Sequence, residues 1–267
     1  MPHRKRLVSR VVPSYNSLST MIIETQEEIE ARQTLAETQP LLNRVVVEPF
    51  RLVDVSTTVD SYYDAFSNDP LHRYIGANPG PGRRPSTYLK AYIALLLVCW
   101  NWTKVLLTID HGVAVLAASF PNRNTFLENV LARMLKIVTF PRRLIMPAEK
   151  KKRLAEVETK IKQVTKEAGV EGRLKDWVYL DLLFAARRSQ GRGHGSALVK
   201  TLTDQLDLSG QTCWTHALAL NEGFYNYHGF QTLASITIAD DNPEWHEDAF
   251  VLHVMAREPK TTTDEKH

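Results

Sequence analysis

The stretch that decides the fold is Arg187-Arg188-Ser189-Gln190-Gly191-Arg192-Gly193-His194-Gly195-Ser196. It follows the strand-like run Val178–Phe184 and leads into a helical pattern formed by Leu198, Leu202 and Leu206. A glycine-rich turn between a strand and a helix lets the backbone approach a ligand closely. The free N–H groups and the dipole of the helix N-terminus then face that ligand, so the sequence predicts an anion site here.

The charge and spacing of the turn narrow the class of anion. Arg187 and Arg188 precede the turn and Arg192 lies inside it, which favours a ligand with several negative charges. The spacing Gly191-x-Gly193-x-Gly195 is not the dinucleotide fingerprint, and no Lys-Ser or Lys-Thr pair follows, as a phosphate loop requires. Each arginine can equally be an ordinary solvated side chain, so their role stays open.

A second segment pairs with the turn. Gln190-x-x-Gly193-x-Gly195 resembles the acetyl-CoA loop of the GNAT acetyltransferase superfamily. Asn221-Glu222-Gly223-Phe224-Tyr225-Asn226-Tyr227-His228-Gly229-Phe230 resembles that superfamily's later Asn…Tyr-x-x-x-Gly-Phe signature, about 30 residues further on. The resemblance is clear over residues 176–258, and the end Val254–Pro259 is similar to the last strand of many fungal relatives.

The resemblance implies a fold. It predicts an α/β (α+β) domain of the GNAT type, with a mixed central sheet of about seven strands flanked by helices. That sheet would be splayed between its fourth and fifth strands, with the pantetheine arm of the cofactor paired in the gap like an extra strand. By element order the domain spans 44–259, after an N-terminal tail and peripheral helix at 1–43 and before a disordered tail at 260–267.

The resemblance also implies acetyl-CoA as the cosubstrate, with its pyrophosphate bound by backbone amides of the turn. The implied cofactor-binding residues are Leu183, Phe184, Ala185, Arg188, Gln190, Gly191, Arg192, Gly193, His194, Gly195, Ser196 and Asn221. A backbone N–H near Leu183 would hold the oxyanion, and Asn221 would bind the cofactor arm or cap a helix. Relatives often carry proline where this chain has Arg187, which changes the entry into the turn.

Tyr225 stands at the position of the superfamily's usual general acid. When an amine attacks an acetyl thioester, the departing thiolate has an ordinary pKa near 8.5, close to that of a phenol near 10. A tyrosine can therefore donate its proton to the thiolate. The alternatives are that Tyr225 only covers the core beside Phe224 and Phe230, or that Tyr227 takes its place.

Asp181 and His216 are the candidate general bases. Asp181 interrupts the strand Asp176–Ala185, which is apolar on both faces, and a carboxylate there is costly unless it is paired or functional. His216 lies in the strand Gln211–Ala217 and can be a neutral base near pH 7. Each can instead be a hydrogen-bonded structural residue. In the strand Asp176–Ala185, the apolar residues expected to share one face are Val178, Leu180, Leu182 and Phe184.

Other kinds of chemistry find little support. Ser189 and Cys213 have no adjacent base along the chain, which argues against nucleophilic catalysis. We predict no metal, because His, Cys and Asp do not cluster with metal-ligand spacing. The two cysteines, Cys99 and Cys213, lie in apolar runs and are expected to be reduced core thiols.

The residues before 70 predict the opening elements of the domain. The run Arg44–Val47 begins a first strand, and Asp54–Phe66 has the apolar spacing of an amphipathic helix. The loop Asn78–Gly82 follows, and by resemblance it borders the acceptor cleft.

A helix and a hairpin come next. Ser86 is placed to cap a helix whose segment Tyr88–Trp100 is too apolar to face water. The strands Lys104–Ile109 and Val113–Ser119 flank Asp110-His111-Gly112, which is typical of a hairpin turn. His111 is therefore interpreted as a turn residue, with contact to a substrate as the alternative.

Residues 122–175 form an insertion relative to a minimal member of the superfamily. Thr125 and Glu128 can cap a first helix, and Pro147 suits the first position of a second one. The second helix carries a narrow apolar seam of Leu154, Val157, Ile161, Val164 and Ala168. The cluster Lys150–Arg153 attracts CoA or an acidic partner, or is a solvated helix face. We predict that the helices form a lid over the acceptor pocket or a homodimer contact.

Composition limits the location and the partners. A chain of 267 residues that is 43% hydrophobic can bury a substantial core. A net charge of +3 does not by itself indicate nucleic acid. The apolar stretch Ala91–Trp100 is far shorter than the roughly 20 residues of a membrane span. We expect a cytoplasmic protein, with a mitochondrial location as the alternative suggested by the basic residues Arg4, Lys5, Arg6 and Arg10.

The sequence thus predicts an acetyl-CoA-dependent N-acetyltransferase that acts on a small-molecule amine, with neither nucleic acid nor membrane as a partner. Two alternatives remain open. The fold can serve as a CoA-binding or regulatory module without turnover. It can also use another acyl-CoA, or carry out O-acylation or decarboxylation.

Overall fold

The computed structural model describes residues 45–80, 82–121, 126–127, 129–135, 146–173 and 175–260. The N-terminal tail with its predicted helix, the capping pair Thr125 and Glu128, and the tail 261–267 lie outside these residues. The predicted domain bounds and the predicted character of both tails therefore stay predictions.

Seven strands form one mixed sheet with the order β1-β2-β3-β4-β5-β7-β6. They are β1 (Glu48–Pro49), β2 (Val105–Ile109), β3 (Ala114–Ser119), β4 (Val178–Ala185), β5 (Cys213–Leu218), β6 (Gln231–Ile238) and β7 (Phe250–Arg257). All neighbours pair antiparallel except β4 and β5, which are parallel. The mixed seven-stranded sheet confirms the predicted fold class.

Helices cover both faces of the sheet. The helices with complete bounds are α1 (Val55–Ala65), α2 (Pro70–Tyr74), α3 (Thr87–Thr103), α4 (Ala148–Glu167), α5 (His194–Ser209) and α6 (Glu222–Tyr227). Residues 126–127 and 129–135 of the insertion are also helical. On one face α1 and α3 pack over β2, β3 and β4, where Val115 and Ala117 are buried. On the other face α5 buries the leucines of the predicted helical pattern, Leu198, Leu202 and Leu206.

The elements before the insertion follow the prediction closely, with one correction. The Ser86 hydroxyl accepts a hydrogen bond from the Leu89 N–H at 3.3 Å, so the predicted helix cap is confirmed. The described residues 45–47 of the predicted first strand are not in a strand, because the pairing with β2 begins at Glu48.

The turn between β2 and β3 is the predicted hairpin turn. Four residues, 110–113, join Ile109 to its strand partner Ala114, and Asp110 and His111 adopt left-handed conformations with φ of 50° and 54°. Gly112 follows with φ of 100°, and a Cβ there would lie 2.2 Å from the Thr58 hydroxyl oxygen. Only glycine fits this close approach of the turn to α1.

The sheet opens between β4 and β5. Their pairing is limited to Val178 with Cys213 and Tyr179 with Trp214. Just beyond the last pair, the Thr215 hydroxyl donates a 2.9 Å hydrogen bond to the Leu180 carbonyl and so bridges the separating strands. The predicted splay between the fourth and fifth strands is confirmed.

A bulge in β4 changes which side chains face which helix. Ala118 of β3 pairs with Leu180, but Ala117 pairs with Leu182, so Asp181 is an extra residue in β4. Val178 and Leu180 therefore pack on the α5 face, whereas Leu182 and Phe184 pack on the α1 and α3 face. The prediction that all four share one face is wrong, because strict alternation cannot pass through a bulge.

The second inserted helix belongs to the core of the domain. In α4, Val157 packs with the β5, β6 and β7 residues near Tyr74, and Val164 packs with Trp214 and Val254. The helix begins at Ala148 with Pro147 as its N-cap, one residue later than predicted. Its predicted apolar seam thus lies on the same face of the sheet as α1 and α3 and covers the part formed by β5, β6 and β7. The roles of lid and dimer contact stay predictions.

Helix α3 is more exposed than its composition predicts. Tyr88 is 38% exposed and Leu95 is 36% exposed, so the expectation that the segment Tyr88–Trp100 avoids water is wrong. The helix is apolar on every side, but α1 and the sheet can cover only one side of it. Within the described residues, no helix is long and apolar enough to cross a membrane.

Arg257 ties the end of β7 to α5. Its guanidinium donates two 2.7 Å hydrogen bonds to the Asp207 carboxylate and a third, at 3.1 Å, to the His228 carbonyl. Arg257 is 4% exposed, and its hydrogen bonds hold the pKa of Asp207 below its usual range. The pair therefore stabilises the native state above the unfolded carboxyl pKa of about 3.9, and that contribution is lost as the pH falls through the lower folded value.

We expect Arg257→Met to lower the free energy of unfolding at pH 7 by about 3 kcal/mol, because it leaves a partly buried carboxylate without its cation. Urea unfolding at pH 7 and pH 3 measures this, and the difference between variant and parent should shrink at the lower pH. The control is Lys200→Ala in the exposed Lys200–Asp204 pair of the same helix, with an expected loss below about 0.5 kcal/mol. Equal losses in the two variants would contradict the assignment.

Candidate functional site

The opening between β4 and β5 forms a cleft of about 470 Å³. It is lined by Leu183, Phe184, Ala185, Ser189, Gln190, Gly191, Gly193, His194, Gly195, Ser196, Asn221, Phe224 and Tyr225. The structure thus brings both sequence motifs to one cavity. Of the residues predicted to bind the cofactor, Arg188 and Arg192 do not line it.

The glycine turn forms one wall of the cleft. Gly191 and Gly193 have φ of 74° and 80°, and Gly193 is the N-cap of α5. A Cβ added at either glycine would meet no protein atom within 4 Å, so both face open space. The Gln190 side chain donates a 3.1 Å hydrogen bond to the Ala185 carbonyl and holds the turn against the end of β4.

The start of α5 offers hydrogen-bond donors to the cleft. The first intrahelical bond runs from the Ala197 N–H to the Gly193 carbonyl at 2.9 Å, so the preceding N–H groups of the helix have no intrahelical partner. His194 is 8% exposed, and among the described residues its Nδ1 has no hydrogen-bond partner. A buried polar atom normally has a partner. The glycines, the free amides and this nitrogen together fit a diphosphate.

The arginines around the turn do not act alike. Arg188 and Arg192 are exposed beside the cleft. Arg187 turns away from the cleft. Its backbone N–H donates a 2.8 Å hydrogen bond to the Asp64 carboxylate, and its guanidinium donates a 3.3 Å hydrogen bond to the Ser67 hydroxyl. At the position where relatives carry proline, Arg187 therefore anchors the turn to α1.

The β4 edge presents backbone groups to the cleft. The Val178 N–H donates a hydrogen bond to the Thr212 carbonyl, just before β5. The Ala186 N–H donates one to the Val113 carbonyl, just before β3. Backbone groups alternate along a strand, and the bulge at Asp181 shifts that alternation by one residue. Leu183 and Ala185 therefore direct their N–H and C=O groups into the opening, as the predicted oxyanion site near Leu183 requires.

Tyr225 closes the cleft from the α5 face. It belongs to α6, packs against Phe224 and Phe230, and is buried. Burial raises the pKa of its hydroxyl above the ordinary value, and a hydrogen bond with Thr215 acts in the opposite direction. Thr215 sits where the strands separate, so the Tyr225 hydroxyl lies near the narrow end of the opening, in its neutral form. Tyr227 is exposed and does not line the cleft.

Asp181 forms a compact polar cluster away from the cleft lining. Its carboxylate pairs with the Lys104 ammonium and accepts a 2.7 Å hydrogen bond from the Ser119 hydroxyl. Burial raises the pKa of Asp181, while Lys104 and Ser119 pull it down. Both carboxylate oxygens are thus engaged, and a base role for Asp181 stays a prediction.

His216 lies on the opposite face of the sheet from Tyr225. Its Nδ1 is 3.1 Å from the Tyr179 hydroxyl and its Nε2 is 3.1 Å from the Thr165 hydroxyl of α4. Burial lowers the pKa of His216 to about 4, so the imidazole is neutral near pH 7. It does not line the cleft, and its role as a base also stays a prediction.

Sequence reasoning missed three residues around the opening. Thr215 bridges the strands, Phe224 lines the cleft, and Tyr179 contacts His216. Their positions depend on the register of β4 against β5 and on the packing of α4, neither of which the motifs reveal.

The loop that was predicted to border the acceptor cleft lines a second cavity. Asn78, Gly80 and Gly82 border a cleft of about 260 Å³ together with residues of α1 and Arg187. Asn78 is buried and its amide donates a 3.0 Å hydrogen bond to the Tyr63 carbonyl, which fixes the start of the loop. Whether an acceptor enters here stays a prediction. The turn residue His111 is exposed and contacts Arg51.

Comparison with known proteins supports the fold. No protein-family model and no curated protein gives a significant match to the chain. Among solved structures, arylalkylamine N-acetyltransferase 2 from Aedes aegypti matches with a TM-score of 0.52 and 15% identity, covering 81% of this chain and 100% of that one. Mosquito arylalkylamine N-acetyltransferase like 5b matches with a TM-score of 0.50 and 12% identity, covering 80% and 100%. The chain has the fold of the GNAT N-acetyltransferases.

Proposed function

We propose that the protein is an acyl-CoA-dependent N-acetyltransferase, which transfers acetyl from acetyl-CoA to the amine of a small molecule in a ternary complex. The observation that carries the proposal is the opening between β4 and β5. At its wide end lie the glycine turn and the free amides of α5, and near its narrow end lies the neutral hydroxyl of Tyr225. An extended thioester with a diphosphate at its far end suits this arrangement.

The reaction follows from these positions. The amine nitrogen attacks the thioester carbonyl carbon, a C–N bond forms, and the oxyanion is stabilised by the backbone N–H of Leu183 or Ala185. The C–S bond then breaks, and Tyr225 donates its proton to the departing thiolate. Burial raises the pKa of Tyr225, so its hydroxyl is protonated near pH 7 and has a proton to donate.

A base must take the proton that the amine loses. The raised pKa of Asp181 makes its carboxylate a stronger base and supports this role. His216 is neutral near pH 7 and can accept a proton, but burial lowers its pKa to about 4 and so weakens it as a base. Neither residue lines the cleft, and both already hold hydrogen bonds. The proton of the amine would therefore reach either of them through an intermediate group. We retain both residues as proposed bases.

The alternative functions predict different experimental results. A CoA-binding module without turnover would bind CoA in the same cleft but transfer no acyl group. An enzyme for another acyl-CoA, for O-acylation or for decarboxylation would consume a different donor or release a different product. The amine acceptor is favoured because two proteins of the same fold are named for arylalkylamine acetylation.

The direct test is a screen for acetyl-CoA consumption with product masses. The panel contains polyamines, arylalkylamines, amino acids, aminoglycosides and peptide N-termini. We expect at least one small amine to gain a single acetyl group. CoA binding without any acetylated product in the panel would reject the proposed acceptor class.

A further inference from the structure

Ser196 lies in the first turn of α5 and lines the cleft between β4 and β5. The side chains of an α-helix point back toward its N-terminus. The Ser196 hydroxyl is therefore directed toward the end of α5 at which the free amides and the glycine turn lie. Within the described residues, this hydroxyl makes one hydrogen bond, with His228 Nε2 at 3.1 Å.

His228 reaches the cleft wall from the second motif, and both its backbone and its ring are held in place. Its N–H donates a 3.0 Å hydrogen bond to the Tyr225 carbonyl, and its carbonyl accepts a 3.1 Å hydrogen bond from the Arg257 guanidinium. Its ring centroid lies 4.9 Å from that of Phe224, which also lines the cleft. The hydrogen bond between Ser196 and His228 thus joins two elements that form the cleft.

This hydrogen bond can run in either direction. Burial and the Arg257 cation lower the pKa of His228, so its imidazole is neutral near pH 7 and carries one N–H. With that proton on Nδ1, Nε2 accepts a hydrogen bond from the Ser196 hydroxyl. With the proton on Nε2, the hydroxyl accepts, and its own proton is free for another acceptor. Among the described residues, no other hydrogen bond of the imidazole fixes one of these two forms.

An anion in the cleft decides between the two forms. An ionised phosphate oxygen accepts hydrogen bonds and donates none, so a hydroxyl beside it donates its proton to that oxygen. The Ser196 hydroxyl then accepts from His228, which requires the imidazole proton to be on Nε2. The result is a chain of two hydrogen bonds, from Nε2–H to the hydroxyl and from the hydroxyl to the anion. It adds to the free amides of α5.

We propose that His228 is a positioning residue for cofactor binding, which makes the Ser196 hydroxyl a hydrogen-bond donor to the diphosphate of CoA. This inference rests on the proposed function and adds to the diphosphate site a residue outside the glycine turn. His228 does not line the cleft, so it acts on the ligand only through Ser196. The second motif thereby contributes to the phosphate end of the cleft, as well as supplying Tyr225 at the other end.

The first test is a set of CoA affinities, measured by isothermal titration at pH 7. Ser196→Ala and His228→Phe should each raise the Kd for CoA roughly tenfold, the effect of one lost hydrogen bond to a charged group. The double variant should show no further rise, because both changes break the same chain. Ser196→Thr retains the hydroxyl and should retain the parental Kd. The matched control is His246→Phe, the same substitution at an exposed histidine, with a parental Kd expected.

Pantetheine, which lacks the diphosphate, separates a role at the phosphate from a general effect on the cleft. NMR titration at millimolar pantetheine should give the same Kd for the parent protein, Ser196→Ala and His228→Phe. An equal loss of affinity for CoA and for pantetheine would overturn the proposal, because it would show a structural effect of the two changes. Parental CoA affinity in both variants would overturn it as well.

The second test reads the position of the imidazole proton. Long-range ¹H–¹⁵N NMR of the full chain, with His228 assigned by the loss of its signals in His228→Phe, should show the proton on Nε2 when CoA is saturating. An unprotonated Nε2 in that complex would overturn the proposal and leave the proposed function intact. CoA binding without acetylation of any amine would defeat the proposed function alone, and these measurements would still decide the role of His228. A parent protein that binds no CoA would reject both.

Discussion

Gly193→Asp is expected to abolish measurable CoA binding, with at least a roughly 100-fold rise in Kd. Gly193 has a φ of 80°, where an L-residue is strained, and it is the N-cap of α5. A carboxylate there would stand at the position where the α5 amides and His194 face the cleft. It would satisfy those donors itself and repel the diphosphate. Isothermal titration with CoA measures the loss.

Two controls separate charge from backbone strain. Gly193→Ala brings a Cβ into space that is free of protein atoms. It therefore tests the backbone strain of a left-handed L-residue and the reduced space for the ligand, without the added charge. Gly169→Asp brings the same side chain to a glycine with φ of 66° and open surroundings beyond α4. We expect an intermediate Kd for the first control and a parental Kd for the second. Tight CoA binding by Gly193→Asp would refute the site.

The sequence was sufficient to predict the wall of the cleft formed by the glycine turn, because the conformation of that wall depends on residues close together in the chain. The turn and the start of α5 depend on glycines whose conformation is encoded at their own positions, and Gly191 and Gly193 are both left-handed as a close approach requires. The Tyr225 motif is also a short helix with its own signals. Two local motifs that meet across one parallel strand pair define the cleft without knowledge of distant packing.

The surroundings of Asp181 and His216 could not be predicted because they depend on strand register and on a distant helix. The extra residue Asp181 reverses which face of the sheet the following side chains of β4 point to. The amino-acid composition of the strand does not indicate this bulge. His216 obtains its partners from Tyr179 on the next strand and from Thr165, which is 51 positions away in the chain. The apolar seam of α4 was visible in the sequence, but the sheet face that it covers was not.

Tyr225→Phe is expected to lower kcat by roughly 100-fold or more, the usual contribution of a general acid. The Phe ring keeps the packing against Phe224 and Phe230, so the fold and the Kd for CoA should be unchanged. Burial raises the pKa of Tyr225, so the parent hydroxyl stays protonated across the neutral range and the loss should be the same at pH 7 and pH 8.5. Steady-state kinetics with saturating acetyl-CoA and amine measure the effect.

The matched control is Tyr227→Phe, two positions along the same helix. Tyr227 is 83% exposed and does not line the cleft, so the loss of its hydroxyl should leave kcat unaltered. A fall in kcat for Tyr225→Phe alone identifies the hydroxyl as the proton donor, since ring packing and helix are preserved in both variants. If both variants retain parental kcat and CoA affinity, the thiolate leaves without a proton from Tyr225, and the buried phenol only covers the core. If Tyr227→Phe alone loses activity, the exposed tyrosine is the acid and must reach the cleft by a movement of α6.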